Sequence, residues 1–197
     1  AAASNLGQML NRICIADGVP LVNIVRRAEQ EALLRDLGAA HVVNATADSF
    51  SGDLTAALRE TGATLAFDAI GGGRLAGTIL GCMESVAVEQ MDAYSRYGSD
   101  VFKQVYIYGA LDVAPTTINR NFGFCWAVGG WLLPNFLQRA GGERMQRMQR
   151  RVADELTSTF ASHYTARVSL AEALTLEALS VYGRQATGQK FLVTPQA

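Results

Sequence analysis

The 197-residue sequence has little of what marks several protein classes: four prolines, three cysteines, two histidines, and 17 basic against 18 acidic residues for a formal charge of −1. With no run of five like charges, the chain has no broad electrostatic footprint for nucleic acid or an anionic membrane surface, so neither is expected as a partner. The longest apolar stretch, around Phe122 to Leu137, is broken by Gly129, Gly130 and Pro134 and falls short of the ~20 residues that span a bilayer. The opening A-A-A-S-N-L-G has no basic region followed by an apolar core, so no signal peptide is read and a reducing cytoplasm is the expected compartment. Cys14, Cys82 and Cys125 lie far apart, which excludes a readable disulfide framework or zinc cluster and leaves three buried thiols as the expectation.

What is present is a foldable composition, 49% hydrophobic with 18% charged residues. Leu6, Met9, Leu10, Ile13 and Cys14 recur at helical spacing until Asp17-Gly18 and Pro20 close the run. A short apolar run at Leu21 to Val25 and an amphipathic stretch from Glu29 to Leu37 predict a strand and then a helix. The unit recurs as His41 to Asn44 with Ser51 to Glu60, and as Thr64 to Asp68 with Gly73 to Met83, before a strand over Gln104 to Gly109. Alternation at this pitch predicts an α/β fold, a Rossmann-type doubly wound parallel sheet covered on both faces.

Val88 to Lys103 interrupts that rhythm and reads as an insertion. Phe122 to Leu133 is expected to be an outer strand running into a helix near Pro134, followed by a charged helix over Glu143 to Phe160 whose arginines form a solvated face. A strand around Tyr164 to Val168, a helix from Ser169 to about Tyr182 and a strand Lys190 to Val193 complete the expectation.

Ala2-x-Ser4-x-x-Gly7 has the spacing of the dinucleotide fingerprint G-x-G-x-x-G, with small residues where the backbone must approach a pyrophosphate at a helix N-terminus. By itself the turn is equally an ordinary N-cap at Ser4. Arg26-Arg27 stands nineteen and twenty residues after Gly7, where an acidic residue would read a ribose hydroxyl. Two guanidiniums suit a 2′-phosphate instead, which predicts NADP(H) over NAD(H). Without the turn and strand, the pair would be plain exposed charge. Phe67-Asp68-Ala69-Ile70-Gly71-Gly72-Gly73 and Ile107-Tyr108-Gly109-Ala110 stand at the ends of the strands expected over Thr64 to Asp68 and Gln104 to Gly109, and ligands of open α/β sheets bind outside such ends. His41 and His163 have no acid or thiol partner at catalytic spacing and read as structural or surface residues.

The A-A-A-S-N-L-G turn, the N-I-V-R-R-A-E-Q-E-A-L-L-R-D-L-G-A-A-H-V-V-N run, F-D-A-I-G-G-G and the late G-R-Q-A-T-G-Q-K-F-L-V together resemble the zinc-independent NADPH:quinone oxidoreductase-like branch of the medium-chain dehydrogenase/reductases. The resemblance covers nearly the whole chain. It implies that residues 1–160 form the dinucleotide-binding domain, starting just after its first strand. Residues 161–197 would be a C-terminal segment that packs back on a catalytic domain outside this sequence. It also implies NADP(H) as cofactor, a quinone or activated enone as small-molecule substrate, and a homodimer joined through Phe122 to Trp131. The carried-over cofactor residues are Ser4, Asn5 and Leu6 for the pyrophosphate and Arg26, Arg27 and Arg184 for the 2′-phosphate. Asn44, Ala69, Ile70, Gly71, Tyr108, Gly109 and Ala110 would border the rest of the cofactor. Relatives often carry Lys where Gln30 stands and Tyr where Asn44-Ala45 stands, which shifts phosphate recognition toward the arginines. No catalytic residue and no metal ligand is assigned within the chain. A non-catalytic NADPH-binding or oligomerisation module is the alternative, and a methyltransferase on a similar sheet ranks third, since its cofactor has no 2′-phosphate for Arg26-Arg27.

Overall fold

The computed structural model describes residues 1–162, 164–184 and 190–196. The chain enters α1 (Asn5–Ala16) through Ser4, whose extended backbone and side-chain oxygen, accepting from Gly7 N at 3.2 Å, form an N-cap. Then follow β1 (Val22–Val25), α2 (Ala28–Asp36), β2 (His41–Asn44), α3 (Phe50–Thr61), β3 (Leu65–Asp68), β4 (Gly71–Gly73) and α4 (Leu75–Glu89). The second half holds β5 (Lys103–Ile107), β6 (Asp112–Thr116), β7 (Trp126–Gly130), α5 (Leu133–Ala140) and α6 (Gly142–Asp154). The C-terminal elements β8 (Ala166–Ser169), α7 (Leu170–Ala173), α8 (Leu176–Tyr182) and β9 (Phe191–Thr194) pack chiefly on one another.

Every strand pair is parallel, as βαβ crossovers require. β1 pairs with β2, while β3, β5 and β7 form a separate sheet in that order. β1 and β3 are not bonded to each other; both border one cavity. The larger core lies where α3 and α4 cover the strands, around Leu54, Leu58, Leu80, Met83, Val105 and Phe122. A smaller one, built on Val25, Leu34 and Val42, fixes α2 to β1 and β2.

Several expectations are corrected. The helix expected to end at Met83 runs on to Glu89, and the Glu84 carboxylate within it is buried and bonded to Lys103 and Ser99. The irregular segment is therefore 90–102. Gly71 to Gly73 forms a strand with Asp112 to Thr116, a pairing invisible to propensity because glycine carries no strand signal. The outer strand begins only at Trp126; Phe122 precedes it, is wholly buried, and packs edge-on to Trp126 at 4.8 Å between ring centres. The helix expected over Glu143 to Phe160 stops at Asp154. That expected over Ser169 to Tyr182 is two helices, since Ser169 caps one in a capping box with Glu172 and Thr175 caps the next from Ala178 N. His163 and the residues 185–189 of the late A-T-G motif lie outside the described residues. Of the three thiols, Cys14 and Cys82 are buried and Cys125 is half-buried.

Candidate cofactor-binding site

The site begins with the donors of α1. Gln8 N donates to Ser4 O and Gly7 N to Ser4 Oγ, which leaves the N–H groups of Asn5 and Leu6 without an acceptor inside the helix. Asn5 and Leu6 are exposed, so their donors and the positive end of the helix dipole can meet an anion. Gly7 makes the turn tight: a Cβ there would fall 2.0 Å from Ala2 O.

Arg26 and Arg27 follow β1 directly, both exposed, and among the described residues neither guanidinium is recorded in an ion pair or hydrogen bond. The Arg26 backbone is held on both sides: its N donates to Gln30 Oε1 at 3.0 Å and its O accepts from Thr46 Oγ1 at 3.3 Å. Thr46 is placed in turn by Asn44, whose Oδ1 accepts from Thr46 N at 3.0 Å and Thr46 Oγ1 at 2.8 Å. The Asn44 oxygen is thus committed to the turn that braces Arg26.

Two strand-end loops meet beside this turn. Tyr108 N donates to Asp68 O at 2.9 Å, and Asp112 N to Ile70 O at 2.9 Å. A Cβ at Gly109 would lie 2.5 Å from Ala69 O, and one at Gly71 2.8 Å from Gly109 O, so the backbones are in direct contact. Asp68 ends β3 with 3% exposure; its Oδ1 accepts from Ile70 N at 2.7 Å while its Oδ2 has no partner. Burial, and then the nearby Asp68 charge, push the Tyr108 phenol above its ordinary pKa, so it remains a neutral donor through the physiological range.

The ends of β5 and β7 open into a cleft of about 650 Å³ lined by Tyr108, Gly109, Ala110, Trp131, Asn135 and Arg139. Ala69, Ile70, Tyr108 and Arg26 instead border the cavity between β1 and β3, so Tyr108 is common to both. Arg184 lines neither; it is exposed just past α8, with its N–H on Val181 O. Sequence reasoning missed Thr46, Trp131, Asn135 and Arg139. Thr46 is betrayed only by a possible Asx turn at Asn44, and the other three by their place after a strand end. Among the described residues no group of three His, Cys, Asp or Glu could hold a metal, and no helix is long and apolar enough to cross a membrane.

Parallel sheets with crossover helices and a small-residue turn before α1 define an α/β fold consistent with a Rossmann-like cofactor domain. No protein-family model and no curated protein matches the chain. Solved structures do. A Mesorhizobium loti protein provisionally assigned as an NADPH:quinone reductase is 27% identical, with a TM-score of 0.76, over 99% of this chain and 52% of its own. 2-Haloacrylate reductase is 18% identical with a TM-score of 0.70, over 100% of this chain and 56% of its own. A mycobacterial protein solved with NADPH is 19% identical with a TM-score of 0.62, over 99% and 55%. The chain spans about half the length of the structures it matches, and over its whole length it matches the NADPH:quinone reductases and enoyl reductases of the medium-chain dehydrogenase/reductase family.

Proposed function

We propose that the chain is the cofactor-binding part of an NADPH-dependent oxidoreductase that reduces a quinone or an activated enone. The observation that carries this reading is the pair of exposed guanidiniums of Arg26 and Arg27, held by a braced backbone beside the donor-rich start of α1. The residues fit the group: two cations suit a 2′-phosphate, and the free N–H groups of Asn5 and Leu6 suit a pyrophosphate. The contacting loops 69–71 and 108–110 give a backbone surface for the ribose, and the cleft at Tyr108 to Ala110 borders the nicotinamide end. NADPH when bound supplies a hydride, and the acceptor takes that hydride and a proton. The chain's own residues bind, orient and exclude water; none is assigned to chemistry, which matches a reaction governed by placement of the nicotinamide. Arg184 is assigned by the same resemblance as a further contact of the 2′-phosphate.

In the same reading, residues 161–197 return to a catalytic domain supplied by the rest of a longer polypeptide. Leu174 and Leu176, 70% and 86% exposed, are apolar surface for that contact. The free thiols suit a cytoplasmic setting. The test is oxidation of NADPH by the intact polypeptide with a benzoquinone and, separately, a crotonyl thioester. Turnover with either acceptor supports the oxidoreductase; tight NADPH binding without turnover on both supports the non-catalytic module instead.

A further inference from the structure

The cleft at the ends of β5 and β7, about 650 Å³, is lined by one charged side chain, Arg139, and by no carboxylate. Its volume is that of a small-molecule site. Asn135 and Arg139 stand four residues apart on α5 and so share one face of that helix. Arg139 donates from Nε to Asn135 O at 3.3 Å and makes no other hydrogen bond or ion pair among the described residues, so both terminal amino groups of the guanidinium are open. The exposed Asn135 amide and the neutral Tyr108 phenol add further donors. Asp68, whose charge acts on Tyr108, borders the neighbouring cavity and not this cleft. Trp131 gives the cleft an aromatic wall, its ring fixed by Phe136 at 5.7 Å between ring centres and by Phe67, edge-on, at 6.2 Å.

We infer that this cleft takes an electron acceptor bearing a carboxylate, on a conjugated enone or quinone, and that Arg139 is the residue that selects it. The inference rests on the oxidoreductase reading, which assigns the nicotinamide end to Tyr108 to Ala110. The two open amino groups of Arg139 present parallel N–H donors, the geometry that meets both oxygens of a carboxylate. A ketone or quinone carbonyl has one oxygen and no charge to pair, so a neutral acceptor gains little from the guanidinium. With no acid lining the cleft, nothing there competes with an incoming carboxylate or repels it. The flat conjugated body of the acceptor has the Trp131 ring to pack on. In the reaction the carbon β to the ketone takes the hydride of NADPH, and the π pair of the carbon–carbon double bond moves onto the ketone oxygen. A proton from water then restores the carbonyl at the α carbon, leaving the saturated ketone and NADP. The carboxylate keeps its bonds throughout, so Arg139 determines specificity and is not a catalytic residue.

The test gives the intact polypeptide 4-oxo-4-phenylbut-2-enoate and its methyl ester, which share the enone and differ in charge. Arg139→Gln is expected to lower kcat/KM for the carboxylate roughly ten- to 100-fold, through KM, and to leave the ester within about twofold. Arg139→Lys, which keeps the charge without the fork, should recover part of the loss. Arg144→Gln, at an exposed arginine of α6 that does not line the cleft, should leave the ratio of the two acceptors unchanged and so separates this site from general surface charge. Calorimetric titration of both acceptors in the presence of NADP is the second readout. Binding of the carboxylate that Arg139→Gln weakens, with no turnover of either acceptor, upholds the anion site and refutes the oxidoreductase reading. Turnover of both acceptors in a ratio that Arg139→Gln does not move overturns the inference and leaves that reading standing. So does a loss of equal size with Arg144→Gln. Failure of the carboxylate to bind or react at all also overturns the inference.

Discussion

Lys103, with no accessible surface, donates from Nζ to Glu84 Oε2 at 2.5 Å and so locks the start of β5 to the side of α4. Ser99 joins through N at 2.8 Å and Oγ at 2.6 Å, so both carboxylate oxygens are satisfied. The irregular segment 90–102 is thereby stapled at its far end to the helix that precedes it. Gly98 and Gly123 crowd the same carboxylate, each at positive φ, where an added Cβ would fall 2.3 Å and 2.7 Å from Glu84 Oε1.

Lys103→Met leaves Glu84 buried with only the Ser99 donors, and breaking such a pair costs roughly 3–5 kcal/mol. The double variant Glu84→Leu/Lys103→Met is expected to recover most of that loss. Urea unfolding at pH 7 measures both. Burial opposes ionisation of Glu84, but the bonds from Lys103 and Ser99, with the Lys103 charge, outweigh it and hold its pKa below the ordinary value. The native state therefore gains stability from Glu84 above the unfolded pKa of about 4.3 and loses it as pH falls through the lower folded value. The double variant should lack that part of the acid limb.

The alternation of strands and helices was legible because α1, α2 and α3 carry amphipathic periods and because β1, β2, β3 and β5 are short apolar runs. The Ala2 to Gly7 turn and Arg26-Arg27 were legible because their roles depend on spacing along the chain. What periodicity could not show was a buried charge. Glu84 and Lys103 look like surface residues until tertiary structure pairs them. Nor could it show Phe122 in the core, since an aromatic beside Gly123 reads the same in a strand as in a packed loop. The Thr46 brace on Arg26 needs two strands side by side before it exists at all.

Replacing Arg26 and Arg27 with Ala is expected to remove most of the preference of the intact polypeptide for NADPH over NADH. Each charge-assisted bond is worth about 1.5–3 kcal/mol, or roughly ten- to 150-fold in affinity. Titration of both nucleotides against both proteins measures it. Equal affinities in the unmutated protein would refute the assignment of the pair to a 2′-phosphate. Thr46→Val, which deletes the bond to Arg26 O, should cost a smaller factor on NADPH alone.

β7 has β5 on one side and no partner on its other edge among the described residues. Lys103 N donates to Cys125 O and Trp131 N to Ile107 O, so by strand alternation the Val128 N–H points away from β5. An edge of this kind pairs readily with a copy of itself. The intact protein is expected to be a dimer by light scattering, and Val128→Pro, which removes an outward donor while sparing the bonds to β5, is expected to shift it toward monomer. A monomeric mass for the unmutated protein at micromolar concentration counts against the edge-to-edge dimer.

The contact between Gly109 and Ala69 sets the last prediction. Gly109 follows β5 and Ala69 follows β3, and the parallel register of those strands, Asp68 beside Ile107, brings the two loops level. The Ala69 carbonyl is 2.5 Å from where a Cβ at Gly109 would stand, and Leu111 N approaches the same oxygen at 3.4 Å. Both sides of the contact are backbone, so no flexible side chain can move aside, and Gly109→Ala must separate the loops. Overpacking of this kind costs typically 1–3 kcal/mol. Because Tyr108 to Ala110 also line the open cleft, the shift moves the surface assigned to the nicotinamide end while leaving the arginines in place. The expected result in the intact protein is a large loss of NADPH affinity with an unchanged affinity for 2′-phospho-AMP, which touches the arginine end alone. If Gly109→Ala instead weakens 2′-phospho-AMP and NADPH equally, the loops act on the whole site through folding and not through the nicotinamide end.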